Sequence, residues 1–305
     1  MQRFKTTILL AIVLGILIVV TATASIISNG KQDDKNGEAL ITANIREANK
    51  IEIIKGEEIQ ELSKVENKWV VSSKSGVNAD QAVVNEMINK AEEITKNDLA
   101  STNPEKKSSF EVDESGVEIK MYSGDSLITD FFVGKAGADF NSTYVRLAEE
   151  DDVYLTKNYI RMHFDKSDFR DLAILDFDKD QVSEIKIDQK EKEITILLKE
   201  DGQWKAEWYD QFKVDESNVT SLLSSLAKLS AKDVIVGKSL SEAGLSSPSM
   251  TLTVKMESGE ENILFVGDKE KEVYYVKRSL GDTIYTVPEY KIKDMQKGKD
   301  DFELK

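Results

Sequence analysis

The sequence predicts an α+β protein: two tandem related domains of antiparallel sheet with one main helix each, behind an N-terminal transmembrane helix. Three observations carry that expectation. Residues 8–27 are uncharged and apolar, the chain beyond residue 47 repeats its own landmarks, and each copy sets short alternating segments around one helical pattern. Runs of strands with a single inserted helix argue for an α+β layer rather than a βαβ array.

Residues 8–27 read ILLAIVLGILIVVTATASII. A helix of that length spans about 30 Å, the thickness of a hydrocarbon core. Arg3 and Lys5 precede it, and nothing basic follows until Lys31. Basic flanks stay inside the cell, so residues 1–7 are expected in the cytoplasm and the rest outside it. Ala22-Thr23-Ala24 also has the small-x-small pattern of a signal-peptide cleavage site, after an apolar core at Ile8–Val20. Apolar residues continue through Ile26 and Ile27, which favours a retained anchor; cleavage would give a secreted protein. Ser28–Asn44 is polar without sustained periodicity, and residues 28–47 are assigned as a tether.

The repeat defines domains at 48–175 and 182–305. Trp69 is followed eleven positions later by Asp80, and Trp204 eleven positions later by Asp215. Each Asp opens an amphipathic helix as an N-cap or first-turn acid: Val83, Val84, Met87, Ile88, Ala91 and Ile94 share a face in one copy, Val219, Leu222, Leu223, Leu226 and Leu229 in the other. Before each Trp come two paired strands, Ile51–Lys55 with Gln60–Val65, and Ile185–Asp188 with Ile194–Lys199. After the helix, Val117–Tyr122 and Ser126–Val133 form a hairpin around Ser123-Gly124-Asp125, matched by Thr251–Met256 and Asn262–Val266. A second hairpin joins Tyr144–Leu147 to Val153–Thr156, and Val273–Lys277 to Thr283–Val287. Asn158–Leu175 is expected to be helical.

These residues resemble the bacterial DUF4340 family, a domain of unknown function. The resemblance rests on the Trp69 strand with the Asp80 helix, on Phe132-Val133-Gly134-Lys135, and on Thr143-Tyr144-Val145-Arg146. It continues through Val153-Tyr154-Leu155, Phe169-Arg170-Asp171-Leu172 and, in the second copy, Gly244-Leu245-Ser246-Ser247-Pro248. The first copy lacks that last step, Lys277 replaces the Arg after Tyr275-Val276, and Asp301-Phe302-Glu303 is a reduced Phe-Arg-Asp element. The resemblance implies an exported, membrane-tethered protein, associated with ABC-type export systems related to those of gliding bacteria. It brings no catalytic residues with it.

Composition excludes several chemistries. The 305 residues carry 41 Lys+Arg against 56 Asp+Glu, a net charge of -15 that opposes nucleic-acid binding. Without Cys there is no disulfide, thiolate metal site, cysteine nucleophile or lipidated cysteine, and a single His cannot build a multi-histidine centre. Asp176, Asp178 and Asp180 alternate like a calcium loop, but Gln181 and Ile187 stand where Gly and a bidentate Glu belong. Glu149–Asp152 supplies acids at a hairpin tip, where charge serves solubility. His163 lacks a Gly-x-Ser-x-Gly partner, and Phe-Val-Gly-Lys is no P-loop.

The tyrosines that recur on and beside paired strands are the binding candidates, Tyr144, Tyr154 and Tyr159 in the first copy and Tyr275, Tyr285 and Tyr290 in the second, together with Arg146 of the first copy. Their alternative role is cross-strand packing. The expected function is a membrane-anchored, extracytoplasmic, non-enzymatic accessory or binding protein without cofactor or metal, with ABC transporter subunits or other envelope proteins as partners. A cell-wall or glycan-binding module is the alternative, and a carboxylate-based hydrolase a third.

Overall fold

Apolar residues at alternate positions, such as Ile51 and Ile53, Ile119 and Met121, or Phe131 and Val133, give each strand one face to bury. The computed structural model describes residues 37–190, 192–209 and 211–305; the expected transmembrane segment lies outside them. Among the described residues no helix is long and apolar enough to cross a membrane.

The first unit holds β1 (Glu38–Ala39), β2 (Lys50–Lys55), β3 (Glu58–Val65), β4 (Lys68–Val71), β5 (Val77–Asn78), β6 (Thr95–Lys96), β7 (Asp98–Ser101), β8 (Val117–Ser123), β9 (Ser126–Ala136), β10 (Ser142–Leu147) and β11 (Val153–Lys157). Nine of them form one antiparallel sheet in the order β5-β4-β3-β2-β8-β9-β10-β11-β7, and β1 pairs with β6 beside it. The second unit holds β12 (Val182–Gln189), β13 (Thr195–Glu200), β14 (Gln203–Ala206), β15 (Asp233–Ile235), β16 (Met250–Met256), β17 (Glu261–Glu270), β18 (Val273–Arg278) and β19 (Ile284–Pro288). Its sheet runs β14-β13-β12-β16-β17-β18-β19-β15. Apart from the short edge β5, the two orders correspond strand for strand. The antiparallel α+β class is observed in both units.

One main helix covers each sheet, α1 (Gln81–Glu92) and α2 (Glu216–Leu226), and in the second unit the shorter helix Glu289–Met295 adds Ile292 and Met295 to the same core. Asp80 caps α1 by accepting from the Ala82 and Val83 N–H groups at 3.0 and 3.1 Å, and Asp215 caps α2 by accepting from Ser217 at 2.9 Å. The next side chain explains the kept spacing from the tryptophan. Gln81 accepts the Trp69 backbone N–H at 2.8 Å, and Glu216 accepts that of Trp204 at 2.9 Å. Each helix start is thereby riveted to its Trp strand.

Each unit closes with a phenylalanine latch. The cap residue's own N–H donates to Phe169 O in the first unit and to Phe302 O in the second, both at 2.8 Å, and both rings are buried in their cores. The expected helix over Asn158–Leu175 is confined to Arg161–Phe164. Phe164, Phe169 and Ile174 recur every fifth residue, a spacing that suits no helical face, and Ile174 is drawn into the other unit's core.

Residues 37–47, expected as part of a tether, are instead the first packed element of the unit. Leu40 N–H donates to Ile94 O at 2.9 Å, and Leu40, Ile41 and Ile45 are buried. Residues 173–181, which straddle the expected end of the first domain at 175 and the gap before the second at 182, repeat this element at a constant offset. Ile174 N–H donates to Leu229 O at 2.8 Å, and Ile174 and Leu175 enter the second core as Leu40 and Ile41 enter the first. Asn44 and Asp178 each cap a short 3-10 turn at the matching place. Latch of one unit and lead-in of the next therefore follow without a spacer.

The glycines of the two Phe-Val-Gly steps lie inside β9 and β17. A Cβ at Gly134 would stand 2.3 Å from Phe110 O, and one at Gly267 2.1 Å from Ala243 O. In both units the loop before the first hairpin presses on that strand. Gly244 takes φ 69° in that loop, and Glu111 takes φ 55° at the corresponding place in the first unit, without the glycine signature.

Candidate functional site

With the core faces covered by helices, the opposite faces of the sheets are where the chain can meet other molecules. Register places Glu52 opposite Lys120, Lys120 opposite Asp130, and Phe132 opposite Arg146 on the open face of the first sheet. Thr253 and Ile263 occupy the places of Lys120 and Asp130 in the second sheet, paired across β16 and β17. The charged row belongs to the first unit alone.

Asp130 is the perturbed member. Lys120 Nζ stands 3.9 Å from its Oδ2, while its Oδ1 is buried without a hydrogen-bond partner among the described residues. Burial, reinforced by Glu118, pushes its pKa up to about 6. It borders a groove of about 270 Å³ whose lining includes Leu40, Leu127, Leu147 and Glu149. Beside it, Lys50 lies 2.8 Å from Glu52, and Tyr122 Oη donates to Glu52 at 3.0 Å. Burial works against the Glu52 carboxylate, but these two hydrogen bonds outweigh it and hold its pKa below the usual carboxylate range.

The predicted contact residues separate into different roles. Arg146 is 4 % exposed; its guanidinium donates to the carbonyls of Val112, Leu147, Ala148 and Glu150 at 2.8–2.9 Å and lies 4.5 Å over Phe132. Burial lowers its pKa. This arginine pins a hairpin tip to a loop and is not available to a partner. Tyr285 is 1 % exposed and Tyr275 is also buried, its hydroxyl donating to Glu270. Tyr144 stacks on Phe110 at 4.6 Å between ring centres, and Tyr154 is half-buried under Lys96. Tyr159 and Tyr290 are exposed, on different units. Packing thus absorbs five of the seven, because the strands that carry them are internal to the sheets or covered by loops.

Among the described residues no group of three or more His, Cys, Asp or Glu side chains is placed to hold a metal ion. Asp178 is occupied as a 3-10 cap, and Asp176 pairs with Lys228.

The junction between units gives Arg170 and Asp171 of the Phe169-Arg170-Asp171-Leu172 motif a structural partner in the second unit, which the sequence did not indicate. Arg170 grips Asp168 with Nε and Nη2 at 2.9 and 2.7 Å and pairs with Asp233 of the second unit through Nη1. Burial disfavours the Asp168 carboxylate, yet the Arg170 hydrogen bonds win and hold its pKa low; the same bonds raise that of Arg170. Arg278 reaches back to Asp171 at 3.4 Å. The usable signal was the offset match between residues 39–53 and 173–187, which places Arg170 at a seam between consecutive units.

A family model described as a domain of unknown function, DUF4340, matches residues 69–248 and again 204–303. Both matches begin at the tryptophan of the edge hairpin, Trp69 and Trp204. The longer one runs through the junction as far as Pro248. No curated protein and no solved structure matches the chain.

Proposed function

The chain belongs to the DUF4340 family, and from that premise we propose that it is a membrane-anchored, extracytoplasmic accessory protein that acts by contact rather than catalysis. Its partners are subunits of an ABC-type transport or envelope complex. The observation that carries this reading is the join of an uncharged segment at residues 8–27 to a body that is packed from Leu40 onward. Residues 28–36, between that segment and Gly37, can reach at most about 30 Å when fully extended. The first unit is then held close to the membrane surface, and the clasped junction sets where the second unit stands. A short tether and a fixed body present surfaces at defined heights, which suits a subunit that positions others.

Two exposed tyrosines on separate units, Tyr159 and Tyr290, make a weak platform for a glycan chain, so the cell-wall alternative has less support. Isolation of the full-length chain from crosslinked native membranes in mild detergent tests the proposal. Co-recovery of a permease or ATPase subunit is expected. Recovery of the chain alone contradicts it.

A further inference from the structure

The repeat supplies its own comparison at the turn between β9 and β10 in the first unit and between β17 and β18 in the second. Phe140 and Lys271 are equivalent by the offset that matches Tyr144-Val145 to Tyr275-Val276, and both take positive φ, 58° and 57°. A bulky side chain is a poor occupant of that left-handed position, where asparagine and aspartate are at home. Lys271 lies among four exposed charged residues, 269–272, which keep its turn solvated. Phe140 instead stands 79 % exposed, so its ring neither packs in the core nor solvates the turn. The support beneath it is fixed. Gly137 N–H donates to Ser142 O and Phe140 N–H to Gly137 O, both at 3.0 Å, and the Asp139 carboxylate accepts from the Asn141 N–H and the Ser142 hydroxyl.

This turn lies where the described body begins. Gly37 N–H donates to Asn97 Oδ1 at 3.1 Å, the next residue, Asp98, pairs with Leu155, and Leu155 Cδ1 would stand 3.0 Å from a Cβ on Gly137. Residues 28–36 join that point to the uncharged segment at 8–27 and span at most about 30 Å. Tyr159 is tied to the base of the same turn, because Thr143 Oγ1 donates to Asn158 O at 3.1 Å and accepts the Ile160 N–H at 3.0 Å. Tyr159 is exposed, as are Lys135 and Lys157 on the flanking strands β9 and β11. A phenylalanine tip with a tyrosine and lysines at its rim is a composition that settles at a membrane–water boundary. By the offset of the lead-ins, residues 28–36 correspond to 162–170. Those residues bond to partners that include Lys55, Gln60, Asp80 and Asp233, and the repeat lays no such segment over the turn at 268–272.

We infer that residues 137–141 form a membrane-contacting tip, with the Phe140 ring seated in the interfacial region of the bilayer that holds the anchor. The inference rests on the anchor of the proposed function. It adds a second attachment, which fixes the tilt of the first unit where a tether alone would let it swing.

The full chain reconstituted in vesicles of phosphatidylethanolamine and phosphatidylglycerol tests it. The cysteine-free sequence allows Asn141→Cys and, at the equivalent exposed position of the second unit, Glu272→Cys, each carrying a nitrobenzoxadiazole label. Quenching by nitroxide on the lipid acyl chains is expected at 141 and not at 272. Phe140→Asn should lower the quenching at 141 at least about threefold. Its thermal midpoint should stay at or above that of the parent, because asparagine suits the left-handed turn. Absence of quenching at 141, equal quenching at 272, or quenching indifferent to Phe140→Asn overturns the inference; a tip that bound a protein, or lay beneath residues 28–36, would give the first of these. A lower midpoint for Phe140→Asn also overturns it, since the ring would then serve the fold. Flotation separates the two readings. A chain that floats with the vesicles but is not quenched at 141 contradicts the tip alone, whereas a chain that does not float contradicts the anchor and the tip together.

Discussion

Asp130 and Arg146 show how one sheet face is tuned residue by residue. Asp130's folded pKa of about 6 lies above that of an unfolded aspartate. Its contribution is therefore present below about pH 4 and lost as pH rises through about 6. Asp130→Asn removes that loss, so the variant should gain on the order of 2 kcal/mol relative to the parent between pH 4 and pH 8. Urea unfolding at the two pH values measures it; an equal effect at both would refute the assignment. Arg146→Met keeps length but strips four carbonyls of their donor, and should cost about 3 kcal/mol. The alternation of Glu118, Lys120 and Asp130 with apolar residues was legible as an outward face. The task of Arg146 was not, because its partners are backbone carbonyls, which no side-chain identity reveals.

At the scale of elements, the unit begins earlier and ends later than its most visible motifs. A chain starting at residue 48 loses Leu40, Ile41 and Ile45 from the first core. Burial of three such side chains is worth on the order of 5 kcal/mol, comparable with a domain's whole stability. Thermal melting should show the first unit unfolded in that chain and intact in one starting at residue 37. The latch predicts a parallel effect: Phe302→Ala should cost about 3–5 kcal/mol, because its ring is fully buried in the second core. The strands, both capped helices and their hairpins were legible because alternation and the Trp-to-Asp spacing are local signals. The lead-in was not, because Asn44 and Asp178, or Ala48 and Val182, do the same work with different side chains. The helix after Asn158 stops at Phe164 for a related reason: the apolar residues beyond it serve two cores.

At the scale of the whole molecule, the clasp of Arg170 with Asp168 and Asp233 adds to the backbone pairing of residues 172–177 with 227–231. Asp168 has a depressed pKa, so its contribution is present above the unfolded value near pH 4 and lost as pH falls. Small-angle scattering should find the same radius for the parent at pH 6 and pH 8. It should find a larger one for Arg170→Glu, or for the parent near pH 3; an unchanged radius in both would mean the clasp does not set the arrangement. Family membership leaves the role open, so the claim that this body stands outside the cytoplasm on a membrane anchor needs its own measurement. The chain has no cysteine, and Ser258 lies exposed in a hairpin turn of the second unit. Ser258→Cys therefore offers a membrane-impermeant maleimide a single target. Labelling in intact cells, with the labelled chain retained in membranes after alkaline carbonate washing, is the predicted result. Labelling only after lysis, or release into the wash, would contradict the account.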